Sequence, residues 1–318
     1  MRGAAIGRRG LAALLGFGLL AGCGGNEGPT APTTPIQPQP APSGYTAGQT
    51  YFGRNHYVEY LAGEMPIVIS APHGGSLVPA EIPNRTWGET GTDTNTQDTA
   101  RAVADALRAR TGRPVHLVLC NLRRSKLDAN REVAEAAQGN PFAIQAWTEY
   151  HGFIDAARQA ISIRYGRGLY VDLHGHGHPK ARLEIGYLLD AGDLGQSDTE
   201  LDQSSMATQS SIRTLAVEAD VPFSELLRGP TSLGGLLEGR GVPSVPSPSN
   251  PGPGADPYFN GGYSTARHGS QSGGPISGVQ IECHYAGVRD TAANRAAFAS
   301  ALADVLAVYV NQHFRMAL

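Results

Sequence analysis

Short apolar runs rich in β-branched residues alternate with helix-period segments along most of this chain. No other feature constrains its fold as strongly. Residues 65–71 read as a buried strand. Residues 96–110 read as a helix with Ala100, Val103, Ala104 and Leu107 on one face, and Gly112 is placed to stop it. Residues 115–120 form a second strand pattern. Residues 142–163 form a helical one, with Ile144, Trp147, His151, Ile154, Ala157 and Ile161 at helical spacing. A third strand is expected at 168–173, a fourth at 183–189 and a late one at 279–283. Helices are expected at 211–219 and, long and Ala-rich, at 291–314. Strands that alternate with helices predict an α/β fold around a largely parallel sheet.

The chain has 318 residues, 41% hydrophobic and 17% charged, with a net charge of −3. That mild acidity argues against a general nucleic-acid binder. Three cysteines without a CxxC pair exclude a disulfide scaffold and a structural zinc of the usual spacing. Arg2, Arg8 and Arg9 precede an apolar run over 11–20 that ends in Leu20-Ala21-Gly22-Cys23. A basic start, a short apolar stretch and small residues make a secretory signal. The run is short of the roughly 20 residues that span a bilayer. Cys23 after the small residues resembles a bacterial lipobox, which implies cleavage before it and lipid on its thiol. A Gly/Pro/Thr/Gln-rich tether follows.

Three parts are therefore expected: a signal over 1–22, the lipidated Cys23 with its tether over 23–45, and one domain over 46–318. The protein would be exported and lipid-anchored to the cell envelope. Gly24, rather than Asp, favours the outer of two membranes. Cys120 and Cys283 would meet an oxidising compartment, paired or buried. Residues 229–278 are dense in Gly, Pro and Ser, yet hold Tyr258, Phe259, Tyr263, Arg267 and His268. The stretch is expected to be a long site-forming loop.

In an open α/β sheet, ligands bind beyond the carboxyl ends of the strands. The first strand ends in Ala71-Pro-His73-Gly-Gly. The second is followed by Arg123, Arg124 and Asp128-Ala-Asn130-Arg131. The third ends in Asp172-Leu-His174-Gly-His176-Gly-His178, and the late strand contains Glu282. Neutral imidazoles with a carboxylate suit zinc and leave a position open for water, whose pKa the metal lowers. A nearby Glu can carry the proton to a leaving amine. Arginines dock a substrate carboxylate. The pattern points to a metal-dependent hydrolase.

These motifs, with Asp93 ahead of a helix and Phe259-Asn-Gly-Gly-Tyr263-Ser-Thr-Ala-Arg267-His268 before Gln280-Ile-Glu282, come in an order that resembles the N-formylglutamate amidohydrolase family. More distantly the chain is similar to the aspartoacylase and zinc-carboxypeptidase superfamily. The matches span about residues 67–289. The resemblance implies a three-layer, zinc-carboxypeptidase-like (phosphorylase/hydrolase-like) fold, with a mixed, largely parallel sheet and helices on both faces. It implies one zinc per chain on His73, an acidic residue and His174. The distant relatives' Glu, three residues after the first His, is Ser76 here. The closer family's Asp matches Asp93, with Glu89 and Asp98 as alternatives. Glu282 matches the catalytic glutamate, and Asn130 with Arg131 the pair that docks a substrate carboxylate. The carbonyl-polarising arginine is Arg124 by the closer family's spacing and Arg123 by the distant one's. Arg267 and Tyr263 match a substrate-facing loop that carries one extra residue here.

The implied reaction is hydrolysis of a C–N amide bond in a small carboxylate-bearing N-formyl or N-acyl amino acid. Two other readings stand beside it: a metallocarboxypeptidase-like or γ-glutamyl hydrolase acting on peptide or cell-wall material, and a non-catalytic binding lipoprotein. Plainer roles compete for several residues. Asp93 is a candidate N-cap. His151 is expected in the core, and His176 behind or facing the substrate. Asp128 is expected to orient Arg131, and Arg182 to line the pocket or simply start a strand.

Overall fold

The computed structural model describes residues 44–318. The signal segment, Cys23 and most of the tether lie outside the described residues. Eight strands form one sheet: β1 (Thr50–Phe52), β2 (Val58–Leu61), β3 (Ile67–Ala71), β4 (His116–Cys120), β5 (Gly168–His176), β6 (Leu183–Gly186), β7 (Ser244–Val245) and β8 (Ile276–His284). Their order is β1-β2-β4-β3-β5-β8-β6-β7. The centre, β4-β3-β5-β8, is parallel. β2 runs antiparallel to β4, and β6 runs antiparallel to β8. The architecture is three-layer α/β with a mixed, largely parallel sheet.

Period-2 alternation along the strands divides the core into two layers. Ile67, Ile69, Ala71, Leu169, Val171, Leu173, Val279 and Ile281 pack with the helices Thr96–Thr111 and Ala292–Phe314. Val68, Val118, Tyr170 and Ile276 face the helix Pro141–Tyr165 through Tyr150, Ile154 and Ile161. Asn140 starts that helix by accepting from the N–H groups of Phe142 and Ala143, with Pro141 in the first turn. The same alternation sends Asp172, His174 and His176 of β5, and Gln280 and Glu282 of β8, to the Tyr170 side. Register sets His174 opposite Glu282.

The structure adds one element, closes two open alternatives and revises one expectation. The hairpin β1–β2 adds an antiparallel edge that its short, half-exposed strands do not announce. The helix Thr96–Thr111 is preceded by Asn95 in the left-handed region (φ 63°), so Asp93 is not its N-cap. Residues 229–278 are not one open loop, since they contain the helices Leu233–Glu238 and Tyr263–His268, β7 and the start of β8. Cys120 and Cys283 are free and buried, one in each core layer, so they do not pair.

Candidate functional site

Three side chains converge at the carboxyl ends of β3 and β5. His73 follows β3 by two residues, Asp93 lies in the loop before the helix Thr96–Thr111, and His174 belongs to β5. His73 Nδ1 lies 3.3 Å from Asp93 Oδ2, and His174 Nδ1 lies 3.4 Å from the same oxygen. All three residues are at least nine-tenths buried. A tetrahedral cation with ligand arms of ~2.0–2.1 Å holds its ligands about 3.3–3.4 Å apart. The spacing fits a metal ion, and the donor set of two imidazoles and a carboxylate fits zinc and its first-row neighbours.

The opposite ring nitrogens are already occupied. His73 Nε2–H donates to Asp128 Oδ1 at 2.7 Å, and His174 Nε2–H donates to Asp172 Oδ2 at 2.9 Å. A carboxylate only accepts, so these contacts keep a proton on each Nε2; Nδ1 is the atom turned to Asp93, and it would offer its lone pair to a cation that displaces any proton held there. Metal-binding histidines are oriented by carboxylates in this way. The charges respond accordingly. Burial pushes the Asp93 carboxyl up, but His73 and His174 outweigh it and hold that carboxyl well below its usual range. Burial alone would lower His174; Asp172 and Asp93 instead raise it well above the ordinary histidine value.

Asp128 is a hub rather than a partner of Arg131. Besides His73 it accepts from Arg124 Nε at 2.9 Å and from the Asn130 N–H at 3.0 Å. Arg124 thereby reaches the site, with Nη1 3.7 Å from Asp93 Oδ1. Its neighbour Arg123 points elsewhere, into a surface cleft with Gly74, Thr94 and Asp98. Of the alternative acids, Asp98 lies in that cleft, and exposed Glu89 caps the Gly91 N–H. Asp93 alone of the three meets the histidines.

Glu282 Oε1 lies 4.0 Å from His174 Nδ1 and accepts from Gln280 Nε2 at 3.1 Å. Burial, the largest influence on it, raises its carboxyl to about 7, against the pull of His174. Asn130 is buried, with Nδ2 3.4 Å from His174 Nε2 and Oδ1 accepting from the Ser264 N–H at 2.7 Å. It joins the segment 259–268 to His174. Gly262 permits this approach, because a Cβ there would collide with the Asn130 side chain. Arg131, Tyr263 and Arg267 lie farther out. Arg131 pairs with Glu135 at 3.3 Å, while Arg267 lies 5.3 Å from the Trp147 ring centroid and 3.3 Å from Tyr263 Oη.

No family model matches this chain, and no curated protein matches it. Solved structures do resemble it. One is an N-formylglutamate amidohydrolase from Ralstonia eutropha JMP134, at 14% identity over 81% of this chain and 98% of that one, with a TM-score of 0.47. A gene product from Agrobacterium tumefaciens gives 14% identity over 80% and 94%, with a TM-score of 0.44. An N-acetylmuramyl-L-alanine amidase from Mycobacterium smegmatis gives 12% over 77% and 96%, with a TM-score of 0.36. Likenesses this remote assign no activity to the chain.

Several supporting residues carry no motif. Arg289 is buried and bridges three segments, donating to Cys283 O at 2.9 Å, to His176 O at 3.0 Å and to Thr94 O. It thus ties the ends of β8 and β5 to the loop that carries Asp93. Glu184 is the clearest omission. It alternates with Leu183 and Ile185 in β6 just as Glu282 alternates with Ile281, and a carboxylate buried in an apolar strand is itself a signal. Arg182 precedes β6, buried, with Nη1 3.2 Å from Asp256 Oδ2. His151 is buried, its Nδ1 2.8 Å from His268 Nε2.

Proposed function

We propose that this chain is a metal-dependent hydrolase of a C–N amide bond in a carboxylate-bearing N-formyl or N-acyl amino acid. One observation carries the reading. Two carboxylate-oriented histidines aim Nδ1 at one oxygen of Asp93, 3.3 and 3.4 Å away, with a raised-pKa glutamate 4.0 Å from the second. A divalent cation on His73, Asp93 and His174, zinc by its donor set, would supply Lewis acidity and make water acidic near neutral pH.

The remaining chemistry belongs to the side chains. Glu282, with its carboxyl near 7, can accept a proton from water and return it to the departing amine nitrogen. The water oxygen bonds the acyl carbon, the C–N bond breaks, and the water's proton ends on the amine. Arg124, held by Asp128, stands where a guanidinium N–H can stabilise charge on the carbonyl oxygen. Arg131 and Arg267 supply planar donors for a substrate carboxylate, and Asn130 and Tyr263 shape the wall between them. Export and a lipid anchor at Cys23 are part of the same proposal.

Assay of the full chain against N-formylglutamate, N-acetylglutamate and N-formylleucine tests it. Hydrolysis that a chelator abolishes, zinc restores and a side-chain carboxylate favours is expected. Turnover that survives complete metal removal, or no hydrolysis of any of the three by the zinc-loaded chain, overturns it.

A further inference from the structure

Past the candidate metal site, the end of β5, the turn after it and β6 bring together a second set of ligand atoms. His176, His178 and Glu184 bring His176 Nδ1 to 3.7 Å and His178 Nδ1 to 2.8 Å from Glu184 Oε1. One potential ligand atom from each residue lies within 4.8 Å of the other two. We propose that these residues form a second site for a first-row divalent cation. It uses none of the side chains of the first site and does not depend on the hydrolase reading.

The atoms that do not face the centre are fastened. His176 Nε2–H donates to Arg182 O at 2.8 Å, which leaves Nδ1 as a lone pair. That lone pair accepts the His178 N–H at 3.2 Å, a long bond that a cation would replace. Glu184 Oε2 accepts the Phe259 N–H at 2.8 Å, so Oε1 remains for the centre. The Phe259 ring stacks on His178, 4.6 Å between centroids and 19° between planes, and fixes that imidazole. Second partners of this kind orient metal ligands.

Charge supplies an independent argument. Glu184 is 1% exposed. Among the described residues its basic neighbours within 4.0 Å are the two histidines alone, with no lysine or arginine. A buried carboxylate without a fixed positive partner is costly, and a bound cation would remove that cost. Two imidazoles and one carboxylate favour zinc, cobalt or nickel over magnesium or calcium. The site would also fasten Phe259, and with it the segment that reaches Asn130 through Ser264.

The test is zinc stoichiometry by equilibrium dialysis on the full chain after chelator stripping. The wild type is expected to bind about two equivalents, each set of two imidazoles and a carboxylate taking one. Glu184→Gln and His178→Asn should each lose one equivalent and keep the other. The double variant His73→Ala/His174→Ala should lose the opposite one, which separates failure of this site from failure of the first. His178 lies partly exposed beyond the strand, so His178→Asn decides the matter if Glu184→Gln does not fold. Equal stoichiometry in the wild type and His178→Asn overturns the proposal.

Discussion

Asp172 holds His174 by the nitrogen that faces away from Asp93. The 2.9 Å contact of Nε2 with Asp172 Oδ2 leaves Nδ1 3.4 Å from Asp93 Oδ2. Asp172 is itself wholly buried and accepts from Ser70 Oγ at 2.6 Å, so the imidazole cannot rotate freely. Asp172→Asn should therefore weaken zinc binding by about 10–100-fold without removing a ligand. Competition titration against a chromophoric chelator measures this. Unchanged affinity would mean that Asp172 does not set the ring's orientation.

On the proposed assignment, His174→Ala removes a ligand outright. Zinc at the first site should fall to background and hydrolysis with it, as metal analysis of the purified variant will show. Full occupancy in that variant would place the metal elsewhere.

Glu282→Gln preserves shape and hydrogen bonding to Gln280 but cannot carry a proton. Zinc content should hold while kcat falls by about 10²–10⁴-fold. A variant that turns over at the wild-type rate would show that another group moves the proton.

The pH profile follows from the same carboxyl. A base must be ionised to work, and burial raises Glu282 to about 7. Activity should rise with pH through that value, and a cation beside it would move the rise to lower pH. In kcat/KM measured from about pH 5 to about pH 9, residual turnover of Glu282→Gln should lack this limb. The stability effect has the opposite sense. Because the folded pKa is raised, the cost of ionising the buried group is absent below the unfolded value and grows as pH rises through about 7.

Arg289 and Asp128 are expected to fail by different routes. Arg289→Leu leaves the carbonyls of Cys283, His176 and Thr94, the first two buried, without their shared donor and should loosen the Asp93 loop, lowering zinc affinity. Asp128→Ala leaves Arg124 and His73 without their buried acceptor, and should destabilise the domain by about 3–5 kcal/mol. Asp128 also carries an acid signature. Burial opposes ionisation, but His73 and Arg124 hold its carboxyl far below the ordinary value. Its stabilisation is present above the unfolded pKa and disappears as pH falls through the folded one. Urea unfolding of the wild type and variant at neutral and acid pH separates these effects; equal stabilities at neutral pH would remove Asp128 as a hub.

The sequence by itself determined the strands and helices whose periodicity comes from burial on one or two faces. β3, β4, β5, β8 and the three long helices fall where the apolar pattern puts them. It also brought His73, His174 and Glu282 to strand ends, because strand-end position is a local property. Only the tertiary structure decided among neighbours. Arg123 and Arg124 are adjacent in the chain, yet Arg124 meets Asp128 while Arg123 enters the cleft with Asp98. Asp93, rather than Glu89 or Asp98, meets the two histidines because the loop before the helix Thr96–Thr111 brings it to the ends of β3 and β5, where the Gly175 N–H donates to its carboxylate. Glu184 acquires its neighbours because β6 runs antiparallel to β8, a direction that four residues of alternating pattern do not encode. Periodicity reports which face of an element is buried, while the pairing of one buried polar group with another depends on contacts between segments far apart in the chain.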